Sequence, residues 1–235
     1  MLKESENNME RFGFNINYKM APEHIRKVGE ACLGSDLYQA IEVTYYEHME
    51  HLDTTEYNQA VRDIIQAYHP QVLVHISGFN LSEENHTIRR AIFDEIEHCI
   101  LYTAALGGKE VVIHSGSSSD GMHVPILHAD NTIGTAEEMY DKAWKLTVEM
   151  LQRACDKAEA YGVTLYTENL FGGRLTETTE SLQKLLKDVG RSNLKIVFDV
   201  GHGNYLGKDP YTEVMHAGKE LKHLHIHDNH GIGPE

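Results

Sequence analysis

The sequence predicts an α/β fold with a mostly parallel sheet closed into a (β/α)8 barrel, and three observations predict it. Short β-branched or aromatic runs alternate with amphipathic helical stretches along the chain. The polar residues suited to chemistry stand at the carboxyl ends of those runs. The first run lacks the glycine-rich turn that opens a dinucleotide fold. Alternation alone admits either an open sheet with helices on both faces or a closed barrel. The loaded strand ends favour the barrel, because there they converge on a shared centre at one face.

The strands are read in order. FGFNI (12 to 16) opens the chain, and FNINYKMAPEHI then runs straight into a helix without a Gly-x-Gly-x-x-Gly turn. AIEVTYY (40 to 46) and VLVHIS (72 to 77) follow. The helix predicted at 88 to 108 spaces its apolar residues three and four apart and ends on a glycine pair suited to a left-handed cap. EVVIHSG (110 to 116) leads into a loop, or lid, over Ser117 to Gly121. TLYTEN (164 to 169), KIVFDVG (195 to 201) and LKHLHIHD (221 to 228) complete the set. That makes seven strands where a closed barrel of this type needs eight. The HDNHGIGPE segment could begin a loop, and no eighth strand is expected after it, so the barrel is expected to lack its eighth βα unit. No linker, repeat or low-complexity segment divides the chain. A single domain over residues 1–235, C-terminally incomplete, is expected.

Bulk properties narrow the function. With 41% hydrophobic residues, 235 residues can bury one substantial core. A formal charge of -15, from 36 acidic and 21 basic residues, repels phosphate backbones, so nucleic acid is not an expected partner. Cys32, Cys99 and Cys155 are widely spaced, which suggests neither a disulfide framework nor a thiolate zinc site and fits a reducing cytoplasm. The polar stretch MLKESENNMERF does not read as a signal peptide, and no apolar run approaches the roughly 20 residues that span a bilayer. A cytoplasmic protein without a membrane segment is expected, and homo-oligomerisation stays open.

His75, His114, Glu168, Asp199 and His225 each lie at or near the end of a different predicted strand. The segments TEN (167 to 169), FDVGH (198 to 202) and HIHDN (225 to 229) offer carboxylate, carboxylate and imidazole from three successive strands. Such oxygen and nitrogen donors suit Mn, Mg, Co or Zn. A buried carboxylate is costly unless paired or coordinated, so a divalent metal gives these acids a reason to be there. The bland alternative is an ordinary ion pair. His75 and His114 occupy corresponding places beside small residues, as further metal ligands or as donors to substrate hydroxyls; packed core histidines are the alternative. His202 follows Asp199 by three residues, a spacing at which the turn after a strand brings both side chains to one centre. His223, His225 and His227 alternate and should share one face of a regular strand, but only one near the strand end can reach a metal. His227 and Asp228 are candidates for supporting or loop positions. His48, His51 and His86 read as solvated, while His123, His128 and His230 sit in loops and carry no assignment.

Taken together, VHIS with NLSEENHTIRR, GGKEVVIHSG, ENLFGG, FDVGH and HIHDN resemble the xylose isomerase-like TIM-barrel superfamily, in family order and over nearly the whole chain. That superfamily holds sugar phosphate isomerases and epimerases and the endonuclease IV branch (AP endonuclease family 2). The resemblance implies that Glu168, Asp199 and His225 are metal ligands and that His202 lies near metal or substrate. It also implies a strand-eight glutamate, which would complete the metal shell and act as the second acid/base group. The sequence to residue 235 does not contain it. Several ketose epimerases carry an acidic residue six positions after the strand-five ligand, where this chain has Arg174.

Two activities follow from the resemblance. One is a metal-dependent isomerase or epimerase moving a proton next to the carbonyl of a small-molecule carbohydrate through an enediolate, with Glu168 and His202 as catalytic residues. The other is a zinc phosphodiesterase of the endonuclease IV type, in which residues matching His75, His114 and His202 help hold several ions. A non-catalytic barrel kept for binding or assembly is the third reading.

Overall fold

The computed structural model describes residues 11–35, 37–46, 54–118 and 126–231, in two compact units that divide after Val74. The histidines at 48, 51 and 123, and most of the Ser117 to Gly121 loop, lie outside the described residues.

The first unit contains β1 (Gly13–Ile16), α1 (Pro22–Leu33), β2 (Ala40–Thr44) and α2 (Thr54–Tyr68), and it begins β3 (Gln71–Ile76). Pro22 stands at the first helical position, where its fixed φ suits the helix and its missing N–H costs nothing. β1 and β2 pair in parallel, with Ile16 opposite Val43. The Tyr57 hydroxyl on α2 lies 3.0 Å from the Ile16 carbonyl and 3.1 Å from that of Thr44, so one side chain ties the helix to the carboxyl ends of both strands. Ile16, Ile25, Ile41, Val43, Ala60 and Val61 are sealed from solvent and form this unit's core.

The second unit completes β3 and continues with α3 (His86–Ala105), β4 (Glu110–Ile113), α4 (Ala136–Glu159), β5 (Thr164–Glu168), α5 (Thr179–Val189) and β6 (Leu194–Asp199). It ends with α6 (Val200–Tyr205), α7 (Pro210–Ala217), a 3-10 turn (Gly218–Glu220) and β7 (Leu221–His225). β4, β5, β6 and β7 pair in parallel in chain order. Ile196, Val197 and Phe198 are buried in succession, the pattern of a parallel strand covered on both faces. These are the alternating units of a (β/α)8 barrel, with seven strands among the described residues.

The helix ends follow from local chemistry. The Asn85 side chain accepts from the N–H groups of Thr87 and Ile88 to start α3, and Gly107, at φ +79°, turns the chain just past its end. Thr135 and Glu138 form a reciprocal capping box on α4. β6 passes directly into α6 because the Asp199 carboxylate accepts from the His202 N–H at 2.7 Å, which makes a strand-end acid the helix cap. Among the described residues no helix is long and apolar enough to cross a membrane. Cys32, Cys99 and Cys155 are free thiols, and burial pushes the Cys155 thiol up to about 12, leaving it inert at neutral pH.

Candidate metal centre

β5 ends on Glu168, β6 on Asp199 and β7 on His225. In the register, Asp199 faces His225 and Glu168 faces Val197, two residues before Asp199 and therefore on the same side of β6. The β6–β7 pairing slips by one residue at Lys222, passing from Ile196 opposite Leu221 to Val197 opposite His223. That slip leaves His223 and His225 in step with Val197 and Asp199. His223 lies below the centre, stacked on Tyr166 with ring centroids 6.4 Å apart, and its edge meets His225.

Glu168 is 1% exposed and Asp199 4% exposed, so neither carboxylate is solvated. His225 Nδ1 donates to Glu168 Oε1 at 2.8 Å and lies 3.7 Å from Asp199 Oδ2. One ligand-capable atom from each of Glu168, Asp199 and His225 falls within 4.8 Å of the others, a separation compatible with one shared ion. His75 and His114 meet through their Nε2 atoms at 3.0 Å. His114 Nε2 also stands 3.1 Å from Glu168 Oε2, without the alignment of a hydrogen bond. His75, His114 and Glu168 form a second close group, and Asp199, His202 and His227 a third.

His202 Nδ1 lies 2.9 Å from the Asn169 carbonyl. A carbonyl only accepts, so this contact requires a proton on Nδ1. The ring edge meets Phe171, with centroids 4.9 Å apart. His227 Nε2 donates to Asp199 Oδ1 at 2.9 Å. That contact requires Gly201, since a Cβ there would fall 2.0 Å from His227 Cε1. Arg174 lies in the loop after β5, where its backbone bridges to Ser117 in the loop after β4.

Burial alone would push the Glu168 carboxyl up. The facing imidazoles of His225 and His114 outweigh it and hold the group well below the usual carboxylate range. Burial pushes the His114 imidazole down, against the pull of Glu168, and so favours its neutral form. The donor set fits a divalent cation. Two carboxylates are packed together out of water with imidazoles as their close partners, and among the described residues Glu168 Oε2 is buried without an aligned hydrogen-bond donor.

The strand-end residues named from sequence therefore come together: His75, His114, Glu168, Asp199, His202 and His225 all lie within one network of close contacts. His227 joins it more directly than its alternation implied. Asn169 went unremarked, although its place immediately after a strand-end acid was a signal. His86 is exposed, and His128 pairs with Glu138 at 3.3 Å, away from the centre.

Parallel strands joined by helices, with carboxylates and imidazoles gathered at the strands' carboxyl ends, define a (β/α)-barrel protein with a candidate site at those strand ends. The chain belongs to the xylose isomerase-like TIM barrel family, whose model matches residues 33–233. It is 29% identical over 174 residues to an uncharacterized protein of Methanocaldococcus jannaschii, MJ1311, a match covering 72% of this chain and 55% of the relative. It is 27% identical over 125 residues to an inosose dehydratase of Clostridium beijerinckii, covering 52% of this chain and 40% of the relative. The chain thus spans about half or less of the curated relatives it matches. Among solved structures, a D-tagatose 3-epimerase-like protein superposes with a TM-score of 0.71 at 23% identity, covering 93% of this chain and 77% of that one. The 3-keto-D-glucoside 4-epimerase YcjR of E. coli superposes with a TM-score of 0.69 at 17% identity, covering 93% and 79%. At these identities the superpositions show the fold.

Proposed function

We propose that the chain carries the metal centre of a divalent-metal-dependent isomerase or epimerase, one that moves a proton next to the carbonyl of a sugar or sugar phosphate. The observation that carries this reading is the approach of Glu168, Asp199 and His225 to within 4.8 Å, with one Glu168 oxygen buried and, among the described residues, without an aligned hydrogen-bond donor. The relatives support it, because removing a proton next to a carbonyl begins both the epimerisation of a ketose and the loss of water from a hydroxyketone. Glu168, Asp199 and His225 would hold the ion, which when bound supplies Lewis-acid polarisation of substrate oxygens.

Glu168 takes or returns the proton. Its neighbours keep it ionised at neutral pH, the state a general base must start from. His202 presents Nε2 as an acceptor for a substrate hydroxyl. His114, held neutral beside His75, contributes donor or acceptor capacity without adding a charge that would compete with the cation. Burial of both carboxylates keeps bulk water from the proton in transit.

The test is exchange of substrate carbon-bound hydrogen with deuterated solvent, run on a panel of ketoses and ketose phosphates with Mn, Mg, Co or Zn added. Wild type should exchange, while Glu168→Gln should keep the fold and lose exchange by a factor of about 100 or more. Exchange retained in the variant removes Glu168 from the acid/base role. The second and third ligand groups support one alternative, a multi-ion phosphodiesterase of the endonuclease IV type. Counting metal on purified protein and assaying an abasic duplex separates the two: several ions with cleavage favour the alternative, one ion with exchange the first.

A further inference from the structure

Asn169 is sealed from solvent beside the centre, and both ends of its carboxamide bond to the backbone of one residue. Its Nδ2 donates to the Asp199 carbonyl at 3.0 Å, and its Oδ1 accepts from the Asp199 N–H at 2.6 Å. Asp199 Oδ1 in turn accepts from the His202 N–H at 2.7 Å. His202 Nδ1 donates to the Asn169 carbonyl at 2.9 Å. The four bonds close a cycle of three links: side chain 169 to backbone 199, side chain 199 to backbone 202, side chain 202 to backbone 169.

We propose that Asn169 is the positioning residue of this site, holding Asp199 at a fixed distance from its own neighbour Glu168 and locking His202 as the Nδ1–H tautomer with Nε2 as the working atom. The physical ground is the closure. Among the described residues the β5–β6 pairing ends with Glu168 opposite Val197, so beyond it the carboxamide stands in for strand hydrogen bonds at the level where the proposed ligands sit. A side chain of another length or charge cannot do this. Aspartate would set a carboxylate against the Asp199 carbonyl, and alanine would leave a buried N–H and C=O unpaired. The tautomer follows because, among the described residues, the acceptor within hydrogen-bond distance of Nδ1 is the carbonyl of the same Asn169, the Glu168 and Asp199 oxygens lying farther off at 3.6 and 3.8 Å. The consequence for binding rests on the metal-centre reading above; the tautomer assignment does not.

The experiment has two readouts. Long-range proton–nitrogen correlation spectra of the metal-free protein at about pH 8, above the usual histidine range, report which ring nitrogen of His202 is protonated, with His202→Gln giving the assignment. Mn2+ titration reports affinity. Asn169→Ala and Asn169→Ser are compared with Asn193→Ala, which removes another carboxamide bonded to backbone, Asn193 Nδ2 to the Cys155 carbonyl at 2.8 Å, away from the site. Wild type should show Nδ1–H at His202. The two Asn169 variants should mix the tautomers and weaken Mn2+ binding by about tenfold or more, while Asn193→Ala at a comparable loss of stability leaves both unchanged. The proposal is overturned if wild-type His202 is protonated on Nε2, which needs no variant to fold. It is equally overturned if the Asn169 variants bind Mn2+ no worse than Asn193→Ala does. Wild type that binds no Mn2+ yet shows the Nδ1–H tautomer overturns the metal centre and leaves the positioning role standing on the spectra.

Discussion

At the scale of single residues, the centre is built from bonds that leave no periodic trace in a sequence. Glu168, Asp199 and His225 could be read because each ends a β-branched run, where a polar side chain stands out. The contact of His227 with Asp199 could not, because it depends on the path of the chain after β7 has ended. Gly201 is its silent partner: in KIVFDVG it closes a strand-like run, whereas its missing Cβ is what admits the His227 ring. Gly201→Ala puts a methyl 2.3 Å from His227 Nε2, so the ring must move and Asp199 Oδ1 loses a donor. We expect a stability loss of about 1–3 kcal/mol in urea unfolding. His227→Ala in the same chain removes the clash, so the double variant should lose less than the sum of the singles. Strict additivity would show that the two residues do not meet.

At the scale of elements, the strand ends and helix starts are coupled so that geometry at one fixes the other. All seven strands were legible from hydrophobic runs, yet their ends were read long: β4 stops at Ile113 rather than Gly116, and β6 at Asp199 rather than Gly201. The reason at β6 is specific. Asp199 caps α6, so the residues after it are already helical, and His202 lies in a helix rather than in an open turn. α6 and α7 are short and were not read, since six and eight residues carry too few apolar repeats to show a period. The segment after β7 is tied to α6 by Asn229, whose Nδ2 donates to the Gly201 carbonyl at 2.9 Å while its Oδ1 accepts from Asn204 at 2.7 Å. Removing that tie in Asn229→Ala leaves a buried carbonyl without its donor and should cost about 1–3 kcal/mol. Hydrogen exchange should quicken across residues 226–231 and not in α4. Unchanged protection there would mean that the loop is held by something else.

At the scale of the whole molecule, acid should undo what the proposed metal centre stores. His114 is pushed below its ordinary 6.5 and Glu168 well below its ordinary 4.5, so in both cases the unfolded chain binds the proton more readily than the native one. The stability they contribute is complete above the unfolded values. His114 begins to lose its share as pH falls below 6.5, and Glu168 adds its loss as pH falls below 4.5 toward its depressed native value. A divalent ion competes for the same atoms, since His225 Nδ1 must give up its proton and Glu168 must stay ionised for the donors to be free. Chelator-treated protein should therefore unfold at progressively lower urea as the pH is lowered from 7.5. Mn2+ at about 100 times its dissociation constant should restore about 2.7 kcal/mol at neutral pH and progressively less at the same concentration under acid. Glu168→Gln should remove the metal-induced gain together with the acid loss below 4.5, leaving the share that burial of His114 contributes, because one carboxylate serves as acid-sensitive partner and as the proposed ligand. A metal-induced gain that survives in Glu168→Gln, or one that does not change with pH, would place the ion elsewhere and detach the acid sensitivity of the fold from this centre.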